Sequence, residues 1–238
     1  MTRVLGIVPA RGGSRRIKDK NVVDFFGRPI IAYSLDAMRD SGVYDEIHVS
    51  TDSEAIRSVV AELGIDVPFL RGAYAGDNDG VLDVGRWVLD EFERRGRSFD
   101  VVGFVMACSP LIEAGDLVAG FRAFEEGGRR PQLAVCDHPA PPQQALLIEA
   151  DGSIRPERPN LFVARSQDLP ETVFDTGAFA FFTAESLRSG DADRLEGYRG
   201  FRLARHKAVD INTPEELEFA RALYAGYRSI HGVAAEAS

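Results

Sequence analysis

IVPARGGSRRIKDKN, residues 7–21, is the stretch on which the reading of this chain turns. It starts inside an apolar run, residues 4–8, that has the form of a buried parallel strand. Two adjacent glycines follow, and then five cations (Arg11, Arg15, Arg16, Lys18, Lys20) against one acid, Asp19. The chain as a whole is acidic: 238 residues with 28 Lys+Arg against 37 Asp+Glu, net −9. The quoted residues carry +4, so the rest of the chain carries −13. Most charge runs are solvated faces. Here, however, the cations sit on a Gly-containing loop directly after the first strand, where open α/β sheets place ligands. Gly12 and Gly13 let the backbone approach a ligand, and their N–H groups can point at phosphate oxygens. Arg11, Arg15, Arg16 and Lys20 can offset the charge of a triphosphate. The loop fits neither GxGxxG nor GxxxxGK[ST], so it is a phosphate loop of another kind.

Working outward, strands and helices alternate. Residues 46–50 read as a strand, and Thr51-Asp52-Ser53-Glu54 has the form of a capping box. Ile56, Val59, Val60 and Leu63 then make a helix face ended by Gly64. Residues 67–70 suggest a further short strand, and Val81, Val84, Val88 and Phe92 a helix. Residues 101–105 form a strong strand, Leu117, Phe121 and Phe124 line a helix, and residues 132–136 are strand-like again. The alternation predicts an α/β fold: an open, mostly parallel, Rossmann-like sheet with helices on both faces. From 138 to 183 the pattern breaks into prolines and short runs (145–148, 162–164, 178–182), with Asp151-Gly152 as a hairpin signal. This span predicts a small antiparallel insertion in a core made of 1–137 and 184–228. Strand-like residues 201–204 and 208–211 follow. Thr213, Pro214 and Glu216 then open a capped helix, and 229–238 reads as a frayed tail.

Composition bounds the function. An acidic chain is a poor general binder of nucleic acid. No run reaches the roughly 18 apolar residues of a membrane helix, and the apolar segment in MTRVLGIVPAR is too short for a signal peptide. Cys108 and Cys136 lack metal-ligand spacing and read as buried thiols of a cytoplasmic protein. The histidines, His48 among them, show no mutual metal spacing, and Trp87 reads as helix packing.

PARGGSRRIKDKN resembles the N-terminal motif of the acylneuraminate cytidylyltransferases, which transfer CMP from CTP to nine-carbon 2-keto sugar acids. The similarity continues through GRPIIAYSLDAMRDSGVYDEIHVSTDSEAI, through VPFLR ending at Arg71, and through SPL at 109–111. RSQDLPE, residues 165–171, is close to the form seen in pseudaminic acid cytidylyltransferases, and VDINTPEELE resembles the family's DIDTPED segment. The resemblance implies a glycosyltransferase-A-like nucleotidyltransferase fold. It also implies Mg²⁺ or Mn²⁺ as cofactor, and a homodimer formed through the insertion. It places Arg11 and Lys20 on the phosphate-binding cations, and Arg15 where the family has a catalytic Lys. Asp210 falls on the first metal-binding acid and Asn212 on the second, so one carboxylate stands where the family has two. Nucleotide contacts are implied for Ala10, Arg11, Gly12, Gly13, Ser14, Lys20, Asn21, Arg71 and Asp77. Acceptor contacts are implied for Gln143, Arg165, Gln167 and Asp175, with Arg165 suited to pair with a carboxylate.

Three other readings compete with this one. The acceptor can be another small acid, Kdo-like or a phosphonate. Arg15, Asn212 and Val81 (where the family carries a hydroxyl) suit a nucleotide-binding homologue with little turnover. A glycosyltransferase would use Asp210-Ile-Asn212 as a DxD-like site, but the basic loop would then lack a purpose.

Overall fold

Residues 4, 6 and 8 face one side of the first strand and residues 5 and 7 the other, and all five are buried. A strand apolar on both faces needs cover on both faces, and the fold follows from that. The computed structural model describes residues 2–72 and 80–231.

In chain order the elements begin with β1 (Val4–Pro9), a two-residue hairpin of β2 (Asp24–Phe25) and β3 (Arg28–Pro29), and α1 (Ile31–Ser41). They continue with β4 (Glu46–Ser50), α2 (Glu54–Glu62), α3 (Val81–Arg94), β5 (Val101–Val105), α4 (Ala114–Glu126) and β6 (Gln132–Asp137). After these come a small hairpin of β7 (Leu146–Ile148) and β8 (Ile154–Pro156), the single turn α5 (Pro159–Phe162), the long β9 (Val173–Thr183), α6 (Ala184–Ser189), β10 (Arg199–Arg202) and α7 (Pro214–His231). The main sheet has the order β10-β6-β9-β5-β1-β4. Every neighbouring pair is parallel except those made by β9, which runs antiparallel to both β5 and β6. One core cluster joins Val8, Leu35, Met38, Val60, Leu117 and Phe181 under α1, α2 and α4. A second joins Leu5, Ile7, Val88, Phe92, Phe104 and Phe182 under α3 and α6, and a third joins Phe25, Ile30, Cys108, Ile211 and Leu217 beside α7.

Several expectations are corrected. The span 138–183 is not one insertion: β9 lies inside the main sheet, so the excursion is confined to the residues between β6 and β9. Its strand signal was local, whereas its partners in β5 and β6 lie tens of residues earlier in the chain. Residues 65, 67 and 69 are buried in alternation with exposed 66 and 68, but no ladder forms there. Period-two burial alone thus imitated a strand. Residues 162–164 end a helical turn begun at Pro159, and 208–211 are irregular. Ser53, not Thr51, caps α2, accepting from the Ile56 N–H at 3.3 Å, while Thr51 Oγ1 accepts from the Ser53 N–H at 3.1 Å. The cap of α7 stands as expected: Thr213 Oγ1 accepts from Glu216 N–H, and Glu216 Oε2 accepts from Thr213 N–H at 2.8 Å. That helix runs to His231, so 229–231 are helical, and the rest of the expected tail lies outside the described residues. No helix among the described residues is long and apolar enough to cross a membrane.

One irregularity positions the site. Between the pairs Leu133↔Ala180 and Val135↔Asp175, Ala134 alone opposes residues 176–179 of β9. This bulge is pinned by Thr176 Oγ1 donating to Ala134 O at 2.7 Å and by Gly177 N–H donating to Asp175 Oδ1 at 2.9 Å. Gly177 takes φ +62, a left-handed value that a side chain would oppose. Because β9 is antiparallel, its bulged beginning lies at the carboxyl ends of β1 and β5, where ligands bind in open α/β sheets.

Candidate active site

The basic loop leaves β1 and is braced from within. Asn21 is buried, and its Nδ2 donates to Arg11 O at 2.9 Å. Gly12 N–H donates to Asp52 Oδ1 at 2.7 Å, which ties the loop to the β4–α2 corner. This corrects the expectation for Gly12: its N–H is engaged within the protein. Gly13, at φ +69 with open space around its Cβ position, keeps the permissive geometry that the loop reading required.

The side chains form a connected set. Lys20 Nζ donates to Ile211 O at 2.8 Å and to Asn212 Oδ1 at 3.1 Å. Asn212 Nδ2 donates to Asp210 Oδ2 at 2.6 Å. Arg71 is 9% exposed, and its guanidinium grips the end of β4. Its Nε donates to Ser50 Oγ at 2.9 Å and its Nη2 to Ser50 O at 2.7 Å. Cys108 Sγ–H points at Lys20 O and Asn21 Oδ1, each 3.6 Å away. Burial pushes this thiol up to about 11; Lys20 opposes the shift and Asp210 adds to it, so it stays protonated and inert.

Three adjoining cavities result. A central cleft of about 330 Å³ is lined by Arg11, Lys20, Asn21, Arg71, Val81, Met106, Ser109, Gly177, Asp210 and Asn212, among others. A basic cavity of about 450 Å³ shares Arg11, Lys20, Asn21 and Asn212 with it and adds Ser14, Arg15 and Arg16. On the other side, an apolar cavity of about 330 Å³ shares Val81, Met106 and Gly177 and is walled by Leu82, Phe104, Leu133, Phe182 and Tyr198. Asp175 stands in that apolar wall.

The remaining acceptor candidates behave differently. Gln143 is buried and donates Nε2 to Pro170 O at 3.1 Å, which makes it a brace of the excursion. Gln144 does the same with Ala164 O at 2.8 Å. Arg165 and Gln167 are exposed, at the cap and in the body of the turn Ser166–Asp168. None of Gln143, Arg165 and Gln167 lines the three cavities. Ala10 is buried at the loop's root, and its N–H donates to Ser50 O at 2.9 Å. Asp77 lies outside the described residues.

A family model described as cytidylyltransferase matches residues 5–230. The chain belongs to the cytidylyltransferase family. It is therefore a CTP-dependent nucleotidyltransferase. It is 32% identical over 225 residues to the pseudaminic acid cytidylyltransferase of Campylobacter jejuni (strain 81-176), covering 92% of this chain and 95% of that one. Over 110 residues it is 37% identical to the CMP-N,N'-diacetyllegionaminic acid synthase of Legionella pneumophila, 46% of this chain and 47% of that protein. Among solved structures, CMP:2-keto-3-deoxy-manno-octonic acid synthetase complexed with CTP superposes with a TM-score of 0.72 at 17% identity. The match covers 95% of this chain and all of that one, and it bears on the fold alone.

In this cytidylyltransferase Asp210 is the one acid among the described residues lining the central cleft. No group of three or more His, Cys, Asp or Glu among the described residues could cage a metal ion by itself. That donor set fits a Mg²⁺-like ion, which takes one or two carboxylates and completes its shell with substrate phosphates and water. Both ends of the Asn212 amide are engaged within the protein, Oδ1 by Lys20 and Nδ2 by Asp210.

Sequence reading missed Ser50, Asp52 and Gly177. Gly177, a glycine inside a strand pattern, carried a readable bulge signal. Ser50 and Asp52 carried none, because their partners lie 21 and 40 residues away.

Proposed function

We propose that this enzyme transfers CMP from CTP to a nonulosonic acid, a nine-carbon 2-keto sugar acid bearing N-acyl and deoxy groups, and releases pyrophosphate. The observation that carries the reading is the convergence of Arg11, Arg15, Arg16 and Lys20 on one cavity that opens into the Asp210 cleft. The acceptor hydroxyl gives up its proton to water as its oxygen bonds to the α-phosphorus. The bond from that phosphorus to the bridging oxygen breaks, and pyrophosphate leaves with the electron pair. Charge builds on the non-bridging oxygens and on the leaving group, where the loop cations stand. Arg15 supplies charge in a fork geometry where an ammonium is usual. Bound Mg²⁺ or Mn²⁺, held by Asp210 and the nucleotide, would add charge stabilisation. The largely apolar cavity beside the cleft supports an acceptor with methyl and acyl groups, since a polyhydroxylated tail would lose more hydrogen bonds to water there than its few polar lining groups could replace. Asp175, in the wall of that cavity, would accept one hydrogen bond from that acceptor.

We further assign the enzyme to the cytoplasm, as a homodimer. The support for the dimer is an apolar surface on the excursion: Ile148 is 79% exposed and Ile154 62%, on a hairpin too small to stand alone, and Val163, at the end of α5, is 83% exposed. A second copy would cover it and would bring Arg165 to a neighbouring cavity. Arg165→Ala should then raise the acceptor KM at least tenfold and leave the CTP KM within about twofold, as loss of a bidentate carboxylate contact predicts. An unchanged acceptor KM sinks that role. Light scattering reporting 26.1 kDa, the monomer mass, sinks the dimer.

The test of the main proposal is pyrophosphate release with CTP and a panel of keto sugar acids. Calorimetry complements it: Arg11→Ala should weaken CTP binding by about 1.5–3 kcal/mol, roughly 10- to 150-fold, the size of a charge-assisted hydrogen bond. Wild-type affinity in that variant would overturn the loop assignment.

A further inference from the structure

Asn212 lies between a cation and an anion. Its Oδ1 accepts from Lys20 Nζ at 3.1 Å, and its Nδ2 donates to Asp210 Oδ2 at 2.6 Å. The amide can be oriented in one way only. Turned over, it would set an NH₂ against an ammonium and a carbonyl oxygen against a carboxylate. Its main chain is fixed as well: the Asn212 N–H donates to Glu216 Oε2 at 2.7 Å, within the capping box that starts α7. An aspartate here could accept from Lys20 but could only repel Asp210.

We infer that Asn212 is a positioning residue, an amide bridge that holds Lys20 and Asp210 in register before substrate arrives. This rests on the reading of the cleft as a nucleotide-phosphate site. With two of its donors used on Ile211 O and Asn212 Oδ1, Lys20 keeps one N–H for a phosphate oxygen. With Oδ2 occupied, Asp210 keeps one oxygen, Oδ1, which has no hydrogen bond among the described residues. The geometry at Gly177 leaves room for this: the nearest atom to an added Cβ there would be Asp210 Cγ at 3.9 Å. The bridge therefore fixes one donor and one acceptor at the point where triphosphate and cation meet. Such preorganisation removes an ordering cost from binding.

A ligand role and a bridge role separate when no metal is present. The experiment is calorimetry in EDTA with CTP and, in parallel, inorganic tripolyphosphate, on wild type, Asn212→Ala, Asn212→Asp and Lys20→Ala. The bridge predicts that Asn212→Ala weakens metal-free binding of both probes by about 3- to 10-fold, the usual size of one hydrogen bond. Asn212→Asp should weaken it further, because it adds a negative charge beside the phosphates. In the Lys20→Ala background the Asn212→Ala effect on metal-free binding should vanish, since the phosphate donor that the bridge positions is gone. Wild-type metal-free affinity in Asn212→Ala, or an unchanged effect in the Lys20→Ala background, overturns the inference. Tripolyphosphate binding without CTP binding would instead defeat the cytidylyl assignment, and the bridge would still be tested. If wild type binds neither probe, the phosphate site and the bridge both fall.

Discussion

Replacing Asp210 with Asn is expected to lower kcat by about 10²- to 10³-fold, the scale on which removal of one preorganised charge stabiliser acts. The substitution suits the test because it is nearly isosteric. The Asn212 Nδ2 that donates to Asp210 Oδ2 at 2.6 Å can donate equally to an amide oxygen, so the local fold survives. The sign of the binding change is the sharper check. Asp210 is the one acid among the described lining residues of a cleft otherwise marked by Arg11, Lys20 and Arg71. A carboxylate beside a triphosphate is repulsive unless a cation stands between them. In EDTA, therefore, Asp210→Asn should bind CTP as tightly as wild type or more tightly. With Mg²⁺ present, turnover should collapse and the Mg²⁺ concentration for half-maximal rate should rise. The measurements are steady-state pyrophosphate release and calorimetry with and without EDTA. A kcat within about threefold of wild type, or wild-type enzyme that turns over fully in EDTA, would remove Asp210 from the mechanism.

Features that were legible in the sequence are those whose causes are short-range. The first strand, the glycine pair and the cations lie in one run, and the unbroken apolar stretch of 4–8 needs nothing distant to make sense. The α7 cap is closed by Thr213 and Glu216, three residues apart, and so could be placed to the residue. The cap of α2 shows the limit of such templates. Thr51 and Glu54 match the spacing, yet Ser53 does the capping, because Thr51 Oγ1 is spent on the turn before the helix.

Partner identity was not legible. The aromatic run of β9 marks a strand, but its antiparallel place between β5 and β6 depends on a ladder to residues far away in sequence. The same holds in the site. Gln143 is polar and well placed in the chain for an acceptor contact, yet its amide goes to Pro170 O, 27 residues on. Asn212 could be seen as a departure from a two-carboxylate pattern. What it does instead depends on Lys20, 192 residues earlier, and no local rule reports that pairing.

The second large effect concerns acid stability and rests on His48. This residue is fully buried on β4, with its ring 4.4 Å from that of Phe69 and 5.4 Å from that of Phe92. Neither ring nitrogen has a hydrogen-bond partner among the described residues. Burial is the main cause that drives its pKa down to about 3, and the positive charges of Arg71 and Arg95 add to the shift. In the unfolded chain the same group titrates near 6.5. Below that pH the unfolded state takes up a proton that the folded state rejects. Stability is therefore complete above about pH 6.5 and declines as the pH falls toward 3, at about 1.4 kcal/mol per pH unit. Between pH 7 and pH 5 this one group should cost about 2 kcal/mol, a large part of an ordinary domain's margin. His48→Leu removes the titration and two unsatisfied polar atoms, so it should be as stable as wild type or more stable at pH 7. It should also lose about 2 kcal/mol less than wild type on going to pH 5. Urea melts of both proteins at pH 7, 6 and 5 measure the difference directly, with the acidic groups common to the two cancelling. Parallel loss of stability in the two proteins would mean that His48 is hydrated or protonated in the folded state, and the buried neutral ring would have to be abandoned.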